Sequence, residues 1–76
     1  MDIKEFIGHF AEQFEETDIN EFTPETVFRD LDEYSSLMAL SIIAMIDEEY
    51  GITLKGNDMS AAVTIEDLYN IVKSKM

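Results

Sequence analysis

Apolar residues recur at helical spacing in three separate segments of the chain, and this pattern predicts an all-α fold. In the first segment they stand three or four positions apart and so share one face of a helix; they are Ile3, Phe6, Ile7, Phe10, Ala11 and Phe14. Asp2 precedes this stripe, and its carboxylate is suited to cap the helix. We therefore predict a first helix that begins after Asp2 and continues to Phe14.

The second helical segment covers residues 36–50, and the third follows Thr64. On the second segment a helical projection places five residues on the core face: Ala39, Ile42, Ile43, Ile46 and Tyr50. Gly51 then provides a C-cap. In the third segment Thr64 and Asp67 match a capping box, and the apolar stripe consists of Ile65, Leu68, Tyr69 and Val72.

Residues 15–35 form a long connection between the first two helices. Five apolar residues are expected to anchor it to the core: Ile19, Phe22, Val27, Phe28 and Leu31. Thr23 and Pro24 predict a short helical turn that begins at Pro24. Another brief helical turn, capped by Asn57 or Asp58, is expected before the last helix. The predicted architecture is a small helical bundle with three main helices, one short helix and a long loop between helices one and two.

The charge balance is strongly acidic and narrows the possible partners. The chain has 17 Asp and Glu residues against five Lys and Arg, a formal net charge of −12, yet 46% of its 76 residues are hydrophobic. A disordered acidic tail would lack that apolar content, so we expect one folded domain, residues 1–76. Such a charge repels nucleic acid and anionic membranes and favours basic protein partners.

The sequence gives little support for catalysis or metal binding. Without cysteine there are no disulfides, thiolate metal sites or thiol nucleophiles. His9 is the sole imidazole and is expected at the helix surface, and no glycine-rich phosphate loop is present. The sequence also lacks a signal-peptide pattern and any apolar stretch of the ~20 residues that cross a bilayer. We expect a non-catalytic, metal-free monomer in the cytoplasm, without membrane insertion.

Two adjacent serines at the start of the second helix are the most informative residues. A serine there commonly caps the helix, but Ser35 and Ser36 together exceed what one cap requires. One can cap while the other projects its hydroxyl into solvent. A phosphodiester on that hydroxyl would be stabilised by free N–H groups and by the positive end of the helix dipole. The junction is therefore a candidate attachment point for a phosphate-bearing group.

Over its whole length the chain resembles the acyl carrier proteins. Their mark is an Asp-Ser-Leu motif that opens the second helix, and Ser35-Ser36-Leu37 occupies that place here. The run Ile42–Ile52 and the segment Thr64–Leu68 are also similar to the family. Length, acidity, loop length and helix order agree with this resemblance.

The resemblance implies that Ser36 carries 4′-phosphopantetheine and that Ser35, at the position of the family's aspartate, is a possible helix cap. A phosphopantetheinyl transferase would attach the group from coenzyme A with Mg²⁺, and its thiol would hold an acyl, aminoacyl or polyketide intermediate as a thioester. The implied partners are acyl-loading and acyl-transfer enzymes with basic docking surfaces, in fatty acid synthesis or in a dedicated pathway. Cargo could fold back into the small core, lined by Phe28, Ile46, Ile52 and Ile65, although residues of this kind are more often plain core than cavity wall.

The chain departs from the family at three places. Glu33 stands where glycine is usual, Ser35 replaces the aspartate, and the outer face of the second helix has Met38 and Ser41 where carboxylates are usual. That face favours a partner contact weighted toward apolar burial. The predicted partner-binding residues are Leu37, Met38, Leu40, Ser41, Met45, Asp47 and Glu48.

Two other functions stay open at this point. The chain could be an unmodified acidic interaction module that docks on a basic protein through Asp47, Glu48 and exposed methionines, and Ser35 in place of the aspartate favours this alternative. A role as an acidic ion buffer or nucleic-acid mimic would rest on the net charge alone.

Overall fold

Four α-helices and two single-turn 3₁₀ helices make up the protein in the computed structural model, which describes residues 1–76. The α-helices are α1, Ile3–Ala11; α2, Ser36–Tyr50; α3, Gly56–Ala61; and α4, Ile65–Ser74. The 3₁₀ helices, Ile19–Glu21 and Phe28–Asp30, lie in the connection between α1 and α2. Extended pairing is limited to an isolated bridge between Val27 and Thr64. The predicted all-α class, with three longer helices and one short helix, is confirmed.

The first helix begins where the sequence predicts and ends earlier. The Asp2 carboxylate caps it by accepting a hydrogen bond from the Lys4 N–H at 3.2 Å. After Ala11 the backbone forms tighter turns, in which the N–H groups of Gln13 and Phe14 donate to carbonyls three residues back. These bonds use carbonyls that a helix end leaves unpaired. Phe14 is therefore buried by a tight turn rather than by the helix, so the predicted helix end at Phe14 is wrong.

The connection between α1 and α2 packs on the core at some of its predicted anchors. Phe22 and Phe28 are buried, and Leu31 packs against the edge of the core. Val27 is partly exposed, and Ile19 is 61% exposed, so the anchoring role predicted for Ile19 is wrong. The two phenylalanines therefore hold most of this segment in place.

The predicted helical turn at Pro24 is a single hydrogen-bonded turn instead. The Thr26 N–H donates to the Thr23 carbonyl at 3.1 Å, and the Thr23 N–H donates to the Thr26 hydroxyl at 2.8 Å. The carbonyls of Pro24 and Thr26 then accept from the N–H groups of Glu66 and Ile65 at the start of α4. Contacts with α4 thus satisfy backbone groups that a helix would have paired internally.

Glu33 joins the two ends of this connection. Its carboxylate accepts hydrogen bonds from the Thr17 hydroxyl at 2.6 Å and from the backbone N–H groups of Glu16 and Glu15 at 2.9 and 3.2 Å. The Thr17 hydroxyl, helped by the backbone donors, lowers the pKa of Glu33 against the opposing effect of desolvation. A glycine at this position, which is usual in the acyl carrier proteins, could not form these bonds.

One cluster of 15 buried hydrophobic residues connects the helices with the long connection. Its largest fully buried side chains are Phe6, Phe10, Phe28, Ile42, Ile46, Ile65, Leu68 and Val72. Phe10 packs on Phe14 and Phe22 with ring centroids 5.5 and 6.1 Å apart, and on Phe28 at 5.7 Å. These aromatic contacts hold the connection against α1. None of the helices has the length and apolar content needed to cross a membrane.

Caps fix the limits of the helices that follow. Gly51 adopts the left-handed conformation (φ 68°) and ends α2, as predicted. Helix α3 begins before the predicted caps, because the Lys55 N–H donates to the Asp58 carboxylate at 2.9 Å. The predicted capping box of α4 is confirmed: the Asp67 N–H donates to the Thr64 hydroxyl at 3.1 Å, and the Thr64 N–H donates to the Asp67 carboxylate at 3.0 Å.

Candidate functional site

Ser35 and Ser36 have different surroundings at the start of α2. The Ser35 hydroxyl oxygen accepts a hydrogen bond from the Met38 N–H at 3.2 Å, and its extended backbone makes it the N-cap. Ser36 is the first helical residue, its side chain is exposed, and its hydroxyl makes no hydrogen bond within the protein. Capping therefore falls to Ser35, and Ser36 keeps a free hydroxyl.

The backbone around Ser36 suits an anionic group. The N–H groups of Ser36 and Leu37 have no acceptor within the protein, because the Ser35 hydroxyl satisfies only the N–H of Met38. These donors lie at the positive end of a 15-residue helix. Helix α2 has no acidic residue in its first turn, so no carboxylate of that turn repels a phosphate placed there.

A cleft of about 250 Å³ begins beside Ser36. Helix α2 contributes Ser36, Ala39, Leu40 and Ile43 to its lining; the preceding connection contributes Arg29 and Tyr34; and α3 contributes Gly56, Met59 and Ser60. A cleft of this size can take part of a flexible arm.

Polar side chains distinguish the wall of this cleft from the apolar core. Partial burial raises the pKa of Tyr34, and the positive charge of Arg29 only partly opposes that effect. The Arg29 guanidinium donates from Nη2 to the carbonyls of Met59 and Ser60 at 2.6 and 2.9 Å and lies 5.5 Å from the ring centroid of Phe28. Arg29 was not among the residues that sequence patterns predicted for the site. Its available signal was that it is the sole base within a long acidic stretch.

The residues predicted to line a cargo cavity do not line this cleft, and a cavity among them stays a prediction. Phe28, Ile46 and Ile65 are fully buried in the packed core, and neither they nor Ile52 line the cleft. A second hollow, of about 310 Å³, lies on the long connection, and its lining includes five acidic residues: Glu16, Glu21, Asp30, Asp32 and Glu33. Those charges are unfavourable for a phosphate-bearing arm, so the cleft beside Ser36 is the better candidate.

Comparison with known families identifies the kind of site that this geometry forms. The family described as the phosphopantetheine attachment site matches residues 4–72, nearly the whole chain. The chain belongs to this family. Its cofactor is therefore 4′-phosphopantetheine, and such carriers are generally non-catalytic and interact with phosphopantetheinyl transferases and acyl-handling enzymes. Searches of curated proteins and of solved structures gave no significant match.

The outward side of α2 in this carrier is apolar near Ser36 and acidic farther along. Leu37 and Leu40 are 75% and 62% exposed, and Ser41 is exposed beside them. Asp47 and Glu48 are exposed in the last turns of the helix. Their helical spacing places all five on one side. These residues are free for contact, and their role in partner binding stays a prediction.

The two methionines predicted on the outward side of α2 are buried or partly buried. Met45 is only 6% exposed and belongs to the core, and Met38 is partly buried against the core. The prediction that Met45 is available to a partner is therefore wrong. Helix α2 is apolar on most of its circumference, so a helical projection could not locate the centre of the buried arc; the residues buried are Ile42, Met45 and Ile46.

His9 is not a plain surface residue, contrary to the sequence-based expectation. Its ring lies 3.4 Å from Glu12, 3.8 Å from Glu5 and, across the helix interface, 3.7 Å from Glu49. It also stands edge-on to Tyr50, with ring centroids 5.9 Å apart. Burial, and then the charges of Glu5 and Glu49, raise the pKa of Tyr50. His9 therefore contributes to the contact between α1 and α2.

Proposed function

We propose that this carrier holds acyl or related intermediates as thioesters on 4′-phosphopantetheine attached to the Ser36 hydroxyl. The observation that supports Ser36 is the division between the two serines: Ser35 caps α2, whereas Ser36 is exposed and has no intramolecular hydrogen bond. The free N–H groups of Ser36 and Leu37 offer donors to a phosphodiester. The adjoining cleft offers the arm a place against the protein.

The surroundings of Ser36 fit a serine that is modified by another protein. Attachment replaces the Oγ–H bond with an Oγ–P bond, and no base of this chain is in hydrogen-bond contact with Ser36 to take the proton. A catalytic serine would have such a base. We expect a phosphopantetheinyl transferase, with Mg²⁺, to supply the base that takes the proton. The pyrophosphate P–O bond of coenzyme A breaks as the Oγ–P bond forms, and adenosine 3′,5′-diphosphate leaves. When bound, the group supplies the thiol that holds cargo, so the carrier itself is not a catalyst.

The outward side of α2 is the proposed docking surface for the transferase and for acyl-loading and acyl-transfer enzymes. Leu37 and Leu40 would be buried next to the attachment point, with Ser41 between them and the acidic end of the helix. Asp47 and Glu48 would pair with basic residues, and the net charge of −12 would speed the approach of a basic partner. We place this single-domain monomer in the cytoplasm, in fatty acid synthesis or in a dedicated pathway.

A second function is favoured by one departure from the family. Ser35 keeps the capping bond but has no charge where the family has an aspartate, so a transferase that recognises that carboxylate would bind less well. In that case the chain would act as an unmodified acidic module, which docks on a basic protein through Asp47 and Glu48.

Intact mass separates the two functions. The wild type, Ser36→Ala and Ser35→Ala are incubated with coenzyme A, Mg²⁺ and a phosphopantetheinyl transferase of broad specificity. We expect the wild type and Ser35→Ala to gain one phosphopantetheine and Ser36→Ala to gain none. A gain lost only in Ser35→Ala would move the attachment site to Ser35. No gain in any variant, with several transferases, would favour the unmodified module.

A further inference from the structure

Arg29 is the one basic residue in the lining of the cleft beside Ser36. The other four cations of the chain are lysines, and none of them lines it. Two of these have other neighbours: Lys75 lies 3.7 Å from the Asp58 carboxylate, and Lys73 lies over the ring of Tyr69. In a chain with 17 acidic residues, a single arginine beside the attachment point invites a specific explanation.

The Arg29 guanidinium has N–H donors that make no hydrogen bond within the protein. Both hydrogen bonds that it makes come from Nη2, to the carbonyls of Met59 and Ser60. A guanidinium has five N–H groups, so the three on Nε and Nη1 have no acceptor within the protein. The two bonds to carbonyls hold the side chain against the C-terminal end of α3. The charge is thus positioned before any ligand arrives.

The shared cleft brings this charge to the same side of the protein as a group on Ser36. Both residues line one cleft of about 250 Å³. In a phosphodiester on Ser36 the phosphorus is bonded to Oγ, so the other phosphate oxygens lie beyond the position of the hydroxyl. Charge-assisted hydrogen bonds from arginine to phosphate are among the stronger ones in proteins.

We propose that Arg29 binds the phosphodiester of the arm on Ser36 and links the arm to the end of α3. This inference rests on the proposed function, because it takes Ser36 as the attachment residue. Arg29 then contacts the phosphate through Nε or Nη1 while Nη2 keeps its bonds to Met59 and Ser60. Attachment of the arm therefore stabilises α3, which is a helix of only six residues.

Amide hydrogen exchange in α3, measured before and after modification, tests the link. In the wild type the amides of Met59 and Ala62, whose acceptors lie in or next to α3, exchange about fivefold more slowly after modification, the effect expected of an exposed ion pair. In Arg29→Gln modification leaves the rates unchanged. In Arg29→Lys, which keeps the charge but has one donor group instead of a planar fork, the slowing is smaller. The slowing in the wild type decreases at high salt.

Lys55→Gln is the matched control, because it removes one positive charge near α3 without touching the lining of the cleft. It should keep the full wild-type slowing. Each comparison is made within one variant, so a looser α3 in Arg29→Gln does not affect the result. Equal slowing in wild type and Arg29→Gln, or none in a wild type whose mass shows the arm, would overturn the inference and leave the proposed function intact. Failure of Ser36 to be modified would overturn both.

Discussion

At the scale of single residues, one hydrogen bond separates the roles of the two serines. Ser35 uses its hydroxyl oxygen to accept the Met38 N–H, and Ser36 is left without an internal partner. The cap therefore contributes to stability, whereas the Ser36 hydroxyl contributes little. This difference permits Ser36 to be modified without unfolding the start of α2.

The two serines should differ in their effect on stability. We expect Ser35→Ala to lower the free energy of unfolding by about 1 kcal/mol, the usual loss for an N-cap. Ser36→Ala should change it by less than about 0.5 kcal/mol, as is usual for an exposed residue without partners. Urea unfolding of the unmodified protein measures both values. Equal losses in the two variants would mean that Ser36 shares the capping role.

Glu33 gives the stability a pH dependence of known sign. Its pKa is lower in the folded protein than in the unfolded chain, because the Thr17 hydroxyl and backbone N–H groups favour the charged form. The stability that it contributes is fully present above its unfolded pKa and is lost as the pH falls through the lowered pKa. Glu33→Gln should therefore destabilise the protein at neutral pH and lose that effect in acid.

Glu25→Gln is the matched control for this experiment, because Glu25 is an exposed residue of the same connection whose carboxylate makes no hydrogen bond. Chemical denaturation of both variants across the acid range measures the effect. A Glu33→Gln deficit that stays constant with pH would contradict the assignment of the hydrogen bonds to the charged carboxylate.

At the scale of elements, the caps at the two ends of α2 keep the site in register. Ser35 begins the helix and Gly51 ends it, both where the sequence predicts. The helix therefore starts at Ser36, next to the cleft, and its outward side continues to Asp47 and Glu48. A shift of the Ser35 cap would remove Ser36 from the start of the helix, where the N–H groups of Ser36 and Leu37 are free.

Substitution of glycines tests the C-cap. Gly51→Ala should lower the free energy of unfolding by about 1 kcal/mol, because a side chain at φ 68° is strained even though its Cβ would meet no atom within 4 Å. Gly8→Ala, inside α1 and equally free of contacts, should raise it by about 0.5–1 kcal/mol. Thermal unfolding of the two variants compares them directly. A loss in Gly8→Ala as large as in Gly51→Ala would contradict the backbone explanation.

The elements that sequence patterns predicted well are those fixed by local chemistry. The caps by Asp2, Ser35, Gly51 and Thr64 each depend on residues a few positions away, and all four are found. The turn at Pro24 depends instead on hydrogen bonds to the start of α4, a distant part of the chain. Such contacts leave no periodic signal in the sequence.

The same difference between local and distant features decides which parts of the site the sequence could predict. The serine pair at the start of α2 is a local feature, so it could be found from the sequence. The cleft is formed by three segments, and the contribution of Arg29 depends on carbonyls of Met59 and Ser60 about thirty residues away. Met45 was misplaced because α2 is apolar on several sides, and only its neighbours decide which side is buried.

At the scale of the whole molecule, the net charge of −12 acts on a body of 29 × 24 × 20 Å. The screening length is about 30 Å at 0.01 M salt and about 8 Å at 0.15 M. At the lower salt concentration, charges on opposite sides of the protein therefore still repel one another. Mutual repulsion therefore lowers stability at low ionic strength. We expect the same charge to favour basic partners and to disfavour nucleic acid.

The melting temperature should rise as sodium chloride is added from 0.01 to about 0.15 M, the range over which the screening length falls most. The reason is that salt screens repulsion among the 17 acidic residues. Calorimetry of the unmodified protein measures it, with an equal osmolarity of an uncharged solute as the control. A melting temperature that does not change with salt would contradict this account of the charge.

Fragmentation of the modified protein tests most directly whether Ser36 bears the arm. Tandem mass spectrometry of a peptide that contains Ser35 and Ser36 shows which of the two residues carries the added phosphopantetheine. We predict that fragments ending at Ser35 have unmodified mass and that those including Ser36 carry the group. Fragments already modified at Ser35, or a modified residue elsewhere in the chain, would contradict it.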